Sequence, residues 1–320
     1  MSPPPGSQSR PLAREERRYV IENNPIDVPH LAPGLHIVAT PIGNLGDITL
    51  RALQALAGAD LIACEDTRVT RKLLDRYAIA TALTPYHDHN AEKARPVLLR
   101  RLTEGAAIAL VSDAGTPLVS DPGFKLVRAA QEAGHMVTAL PGPSALLAAL
   151  TVAGLPTDRF FFSGFLPPKQ AARRARIAEL ARIPSTIVLF ETGPRIAATL
   201  ADLAAGLGRR DGTLCRELTK LHEEVRRGDL ETLAQSCAAG EVRGEIVLVI
   251  APPQAAQRPS AEDAEMLLSE ALSRISLKDA VAEVADATGL PRRELYQRAL
   301  SLAKRTSNRM SQESGNDAPR

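Results

Sequence analysis

The chain has 320 residues, 44% hydrophobic and 24% charged, with a net charge of +2. These values exclude wholesale disorder, and the length suits one large domain or two of ~150 residues. Three cysteines, Cys64, Cys215 and Cys237, form no CxxC pair, so neither a disulfide framework nor a structural zinc site is expected. The longest apolar run, residues 145–152, is interrupted by Thr151 and falls short of the ~18–20 residues of a membrane span. Residues 1–18 mix Pro, Arg and Ser without an apolar core. No secretory signal is expected there, and a cytoplasmic protein is.

Residues 1–33 read as a flexible arm. A first α/β domain is expected over 34–153. Its short apolar runs at 35–39, 61–64, 107–112 and 136–140 read as strands. Amphipathic segments near 49–58, 68–76, 91–104 and 121–133 read as helices between them. Continuous apolar strands alternating with helices imply a parallel sheet covered on both faces. Asp121-Pro122 reads as a cap and first helical residue, and Gly134 as a helix terminator.

After Gly154-Leu155-Pro156 a second α/β domain is expected over 154–252, with strands at 160–163, 186–190, 213–216 and 245–250. Helices are expected near 169–183, 194–206 and 229–239. Residues 253–260 read as a linker. A helical module follows at 261–305, in which Ser276-Leu277-Lys278-Asp279 is a capping box, Thr288-Gly289 closes one helix and Pro291 opens the next. Two helices around a glycine turn resemble a helix-turn-helix. Residues 306–320 read as a flexible polar tail.

Charge is uneven. Arg292, Arg293, Arg298, Lys304, Arg305 and Arg309 face only Glu294 within residues 290–310. Lys169, Arg173, Arg174, Arg176 and Arg182 face only Glu179 within 168–182. Both stretches suit a polyanion or a solvated helix face. Aromatics at 3%, with no tryptophan, argue against a single-strand binder built on stacking platforms.

Ligands of open parallel sheets bind beyond the carboxyl ends of the strands. Three strand exits carry small residues and prolines: Thr40-Pro41-Ile42-Gly43-Asn44, Asp113-Ala114-Gly115-Thr116-Pro117 and Pro141-Gly142-Pro143-Ser144-Ala145. Together they predict a pocket. No GxGxxG follows a strand and no GxxxxGK[ST] occurs, which disfavours dinucleotide and nucleoside triphosphate sites. Asp113 suits a small zwitterionic or cationic ligand. Glu65 and Asp66 are either acid–base candidates or a helix cap, and Lys220 is either an electrostatic catalyst or a surface lysine. His87-Asp88-His89 lacks a further ligand cluster, so substrate contact or loop structure is preferred to a metal site. Cys64 reads as a small core residue.

Longer strings carry a resemblance. Val38-Ala39-Thr40-Pro41-Ile42-Gly43-Asn44-Leu45, Cys64-Glu65-Asp66-Thr67-Arg68, Ser112-Asp113-Ala114-Gly115-Thr116-Pro117 and Leu140-Pro141-Gly142-Pro143-Ser144-Ala145 resemble the tetrapyrrole-methylase-like S-adenosylmethionine methyltransferases. Tyr86-His87-Asp88-His89-Asn90, Phe162-Ser163-Gly164-Phe165-Leu166-Pro167, Arg216-Glu217-Leu218-Thr219-Lys220 and Gly244-Glu245-Ile246-Val247 extend it. They are most similar to the branch acting on the ribose 2′-hydroxyl of a cytidine in bacterial 16S rRNA.

The resemblance implies two α/β domains of tetrapyrrole-methylase type around a cleft, a small C-terminal helical module and a homodimer. It implies S-adenosyl-L-methionine as cofactor and the small ribosomal subunit as partner. The cofactor bed would be Pro41, Ile42, Gly43, Asp113, Ala114, Gly115, Thr116, Ser144 and Ala145, closed by Phe190, Glu245 and Ile246. Lys220, Glu65 and Asp66 are the catalytic candidates, and His87, His89, Asn90, Arg292 and Arg293 the substrate-binding ones. No metal is expected. A small-molecule methyltransferase of the same fold and a non-enzymatic nucleic-acid binder are the alternatives.

Overall fold

The computed structural model describes residues 17–253 and 261–313, which divide into a unit ending at Pro253 and a helical unit beyond it. The first begins with a hairpin, β1 (Arg18–Ile21) and β2 (Asn24–Asp27), paired antiparallel. Of the arm expected over residues 1–33, the described part, from residue 17, is folded against the lobe rather than flexible. Tyr19 enters the core, the Val20 N–H donates to the Tyr77 carbonyl, and Arg17 reaches Asp60. An aromatic, a backbone hydrogen bond and an ion pair explain why this polar segment folds back.

The first lobe comprises β3 (Gly34–Val38), α1 (Leu50–Gly58), β4 (Leu61–Cys64), α2 (Thr67–Arg76), β5 (Leu83–Pro85), α3 (Ala91–Thr103), β6 (Ala107–Val111), α4 (Phe124–Glu132) and β7 (Val137–Leu140). It alternates as the apolar runs predict except for the short edge strand β5, which has no such run. The strands form one parallel sheet in the order β5-β4-β6-β3-β7. β3, β4 and β6 are buried throughout, with α1 and α2 packed on one face and α3 and α4 on the other. Asp121-Pro122 does not open α4. Gly123, at φ +137°, takes the cap position without a side-chain bond, a backbone shape that glycine adopts freely. Asp121 instead lies on the wall of the cleft that forms the candidate site.

Ser144 caps α5 (Ala145–Ala153), whose apolar face packs on the second sheet. That lobe comprises β8 (Phe160–Phe165), α6 (Gln170–Leu180), β9 (Thr186–Thr192), α7 (Gly193–Leu207), β10 (Asp211–Arg216), β11 (Glu224–Asp229), α8 (Leu230–Ala238) and β12 (Glu245–Ile250). Its order is β11-β10-β12-β9-β8, and only β8 and β9 run parallel. The strand absent from the sequence reading, β11, is half-buried, polar and at the sheet edge, so it carries no apolar run.

The second unit packs α9 (Ala261–Leu272), α10 (Leu277–Thr288) and α11 (Arg292–Glu313) around Leu268, Val281, Val284 and Leu295. Ser276 caps α10 and Gly289 ends it. The tail expected from residue 306 is helical as far as Glu313. The expected linker lies, beyond Pro253, outside the described residues. Among the described residues no helix is long and apolar enough to cross a membrane.

Candidate functional site

The loops leaving β3, β6 and β7 are laced together at the carboxyl edge of the parallel sheet. Thr40 and Gly115 exchange backbone hydrogen bonds at 2.9 and 3.0 Å. Thr40 Oγ1 donates to the Ser112 carbonyl and Thr116 Oγ1 to the Pro143 carbonyl, each at 3.2 Å. This lacing turns Ile42, the 113–116 loop, Ser144 and Ala145 toward a cleft of about 320 Å³ between the two sheets, within the ~300–1,000 Å³ of small-molecule sites. The second lobe supplies Phe190, Lys220, Glu245 and Ile246 to the opposite wall.

The walls combine an apolar side with an acidic arc. Phe190 packs edge-on against Phe162 at 4.8 Å and Phe165 at 5.7 Å, and Leu218, Ile246 and Val247 continue that surface. Six carboxylates line the cleft (Glu65, Asp113, Asp121, Glu191, Glu217 and Glu245), with Lys220 the one basic residue among the lining residues. Burial pushes the Glu65 carboxyl up, and Asp113, Asp121 and Asp88 add like charge. Burial also raises Asp113 and Asp121. Asp113 Oδ1 accepts from the Asp66 N–H at 2.9 Å. Such mutual repulsion is tolerated where a cation is to be held.

Lys220 Nζ lies 2.9 Å from Glu217 Oε1 and 2.8 Å from Glu245 Oε2. Burial works against its charge, but hydrogen bonds to Glu245 and Glu217 hold the ammonium above the ordinary lysine value. Lys220 is thus a fixed cation and unsuited to accepting a proton. Its loop is strained: Glu217 and Thr219 have φ of +51° and +67°, and Leu118 and Ser120, on the opposite wall's loop, +72° and +67°. Non-glycine residues in this region cost about 1–3 kcal/mol each and cluster at binding sites.

Beside the cleft lies an open groove lined by Asp66, Thr67, Arg68, Pro85, His87 and His89, with Glu65 and Asp113 shared between the two. Asp66 is the cap of α2, and its hydrogen bonds with the Arg68 side chain and backbone lower its carboxyl to about 2. That makes Asp66 a poor base. Asn90 does not line the groove; its Oδ1 accepts from the His87 N–H at 2.9 Å and its Nδ2 donates to the Pro85 carbonyl at 3.0 Å. His87 Nδ1 is enclosed without a hydrogen-bond partner, a cost of about 1–3 kcal/mol unless a partner arrives.

Of the expected cofactor bed, Pro41 and Gly43 are not on the cleft wall. Pro41 faces a small separate recess, and Gly43 lies directly against the Lys220 stem and Thr219. Arg292 and Arg293 belong to the helical unit, where Arg292 pairs with Asp286. In the basic stretch at 168–182, Arg173 and Arg174 share Asp202 and Arg176 meets Glu179, which leaves the segment basic. Sequence reasoning missed Asp121, Phe165 and Cys215, all on the cleft wall. Asp121 resembled a helix cap, Cys215 sat inside an expected strand, and Phe165 lies just beyond the strand expected at 160–163, which extends to it.

Residues 34–234 match the model of the tetrapyrrole (corrin/porphyrin) methylases, and residues 258–303 that of the RsmI C-terminal HTH domain. The chain belongs to the tetrapyrrole methylase family, as the two-sheet fold and its cleft also indicate. Among relatives, the ribosomal RNA small subunit methyltransferase I of Mesorhizobium japonicum is 50% identical over 274 residues, covering 85% of this chain and 93% of its own. The protein of that name from Escherichia coli O157:H7 is 44% identical over 269 residues, 83% of this chain and 94% of its own. Two solved structures share the fold. Diphthine synthase has a TM-score of 0.54 at 18% identity over 68% of this chain and 89% of that one. Cobalt precorrin-4 methyltransferase has 0.53 at 18% identity over 68% and 94%.

Proposed function

We propose that this chain is an S-adenosylmethionine-dependent methyltransferase acting on ribosomal RNA, at the ribose 2′-hydroxyl of a cytidine in the decoding region of 16S rRNA. The acid-lined cleft at the sheet's carboxyl edge carries this reading, in a chain whose similar relatives bear the name ribosomal RNA small subunit methyltransferase I. The residues suit the donor. Its planar base matches the apolar side formed by Phe190, Leu218 and Ile246, and its positive charges match Asp113, Asp121 and Glu65. S-adenosylmethionine, when bound, supplies a methyl group activated by a sulfonium.

This chain's residues supply placement and proton handling. The laced 113–116 and 144–145 loops fix one wall, so orientation accounts for much of the acceleration. A ribose hydroxyl is a weak nucleophile and gains from a base. Glu65 takes that proton, because it stands at the rim shared by cleft and groove and its raised carboxyl accepts protons better than an ordinary one. Lys220 fixes Glu217 and Glu245 and offsets part of the wall's negative charge.

The acidic lining also disfavours the small-molecule alternative of a tetrapyrrole bearing peripheral carboxylates, which it would repel. The protein works as a homodimer in the cytoplasm on this reading, which sedimentation and fractionation test. Activity is tested by labelled-methyl transfer to small subunits from cells lacking the protein, followed by digestion to nucleosides. Label in 2′-O-methylcytidine is expected; label in a methylated base, or none, contradicts the proposal.

A further inference from the structure

The groove beside the cleft has a construction that donor binding does not use. It opens at the exits of β4, β5 and β6, and its only residues in common with the cleft are Glu65 and Asp113. The His87 and His89 rings stand 6.0 Å apart at 64°. The Asn90 side chain, bonded to the His87 N–H and the Pro85 carbonyl, holds the backbone beneath the first of them. Arg68 stands on the rim with its side chain 87% exposed, tied to Asp66 at 2.6 Å. The groove is therefore lined by two imidazole rings set edge to face, a guanidinium and three carboxylates.

We infer that this groove receives the base of the nucleotide being methylated, splayed from its stack, with its ribose delivered to the rim at Glu65 and Asp113. The inference rests on the methyl-transfer function proposed above. RNA-binding sites take up unstacked bases on aromatic and arginine planes and bind their edges by hydrogen bonds. His87 and His89 supply the planes here. The carboxylates of Glu65, Asp66 and Asp113 repel phosphate, so a nucleotide enters base first, with its phosphate left outside near Arg68. The same carboxylates accept from an exocyclic amine. The groove therefore favours an amino-bearing base over its carbonyl counterpart, as acidic side chains favour cytosine elsewhere.

The test uses the full chain, labelled donor, and small subunits from cells lacking the protein, reconstituted with either cytidine or uridine at the target position. His89 is exposed, so its substitution leaves the fold intact. His89→Ala is expected to lower kcat/KM about tenfold or more, through KM, with calorimetric binding of S-adenosylhomocysteine unchanged. His89→Phe, which keeps a flat ring, restores most of the loss. Uridine is methylated about ten- to a hundredfold more slowly than cytidine. Wild-type rates in His89→Ala, failure of phenylalanine to rescue, or equal rates on both bases each overturn the base recess and leave the methyltransferase function standing. No transfer by the wild-type protein overturns that function, and this inference with it.

Discussion

Gly43 gives the sharpest test of how the two walls are fitted together. A Cβ there would overlap Lys220 Cγ and come within 2.9 Å of Thr219 Oγ1. The loop cannot simply withdraw. Glu217 and Thr219 are already at positive φ, the Thr219 N–H is held by Glu223 at 2.6 Å, and Thr219 Oγ1 accepts from the Asn44 N–H at 3.1 Å. Overpacking of this kind costs about 1–3 kcal/mol. Pushing the lysine aside also weakens its two carboxylate contacts, each worth at most about 1 kcal/mol at this exposure. Gly43→Ala should therefore cost about 1–4 kcal/mol in urea unfolding. It should lower turnover by up to about a hundredfold if the wall shifts by ~1 Å. A double-mutant cycle isolates the cause. Lys220→Ala removes Cγ and all beyond it, so Gly43→Ala should cost roughly 1–2 kcal/mol less in that background, the contact with Thr219 remaining. The same cost in both backgrounds would refute the fit of glycine against lysine.

Three further outcomes are expected. Asp202→Ala leaves the Arg173 guanidinium, 7% exposed, buried without its partner; a loss of about 3–5 kcal/mol follows, read as a fall in Tm of roughly 6–15 °C. Burial opposes the Asp60 charge, yet hydrogen bonds from the Ala107 N–H, Arg17 and His30 hold its carboxyl below the ordinary value. Its stabilisation is thus complete above the unfolded carboxyl's value and vanishes as pH falls through the folded one, so the Tm gap between wild type and Asp60→Asn should close in acid. Burial raises Glu65, Asp113 and Asp121, and a cationic donor favours their ionised forms. Donor affinity should therefore climb with pH through the mildly acidic range with release of protons, which calorimetry in buffers of different ionisation heat measures; proton uptake would contradict the acidic arc.

The first lobe was legible because its central strands are buried on both faces: β4 and β6 are apolar at every position, so their runs stand out, whereas the half-exposed edge strand β5 does not. β11, at the edge of a largely antiparallel sheet, and the β1–β2 hairpin, held by Tyr19 and Arg17, have no such signature. The 113–116 and 144–145 loops were legible for a related reason, since strand exits rich in small residues mark where a backbone can approach a ligand. The division of labour within Glu65-Asp66 was not. Adjacent carboxylates look alike in a sequence, and only the helix start decides that Asp66 caps α2 while Glu65 faces the cleft. Asp202, the shared partner of Arg173 and Arg174, was not legible beside them, because it lies on the next helix and reaches them only in the folded helix pair.

A crystal structure of the full chain with S-adenosylhomocysteine bears most directly on the cleft. The nucleoside is expected against Phe190 and Ile246, with the amino-acid portion within reach of the 113–116 loop. The compound found outside this cleft, with Asp113 and Lys220 undisturbed, would contradict it.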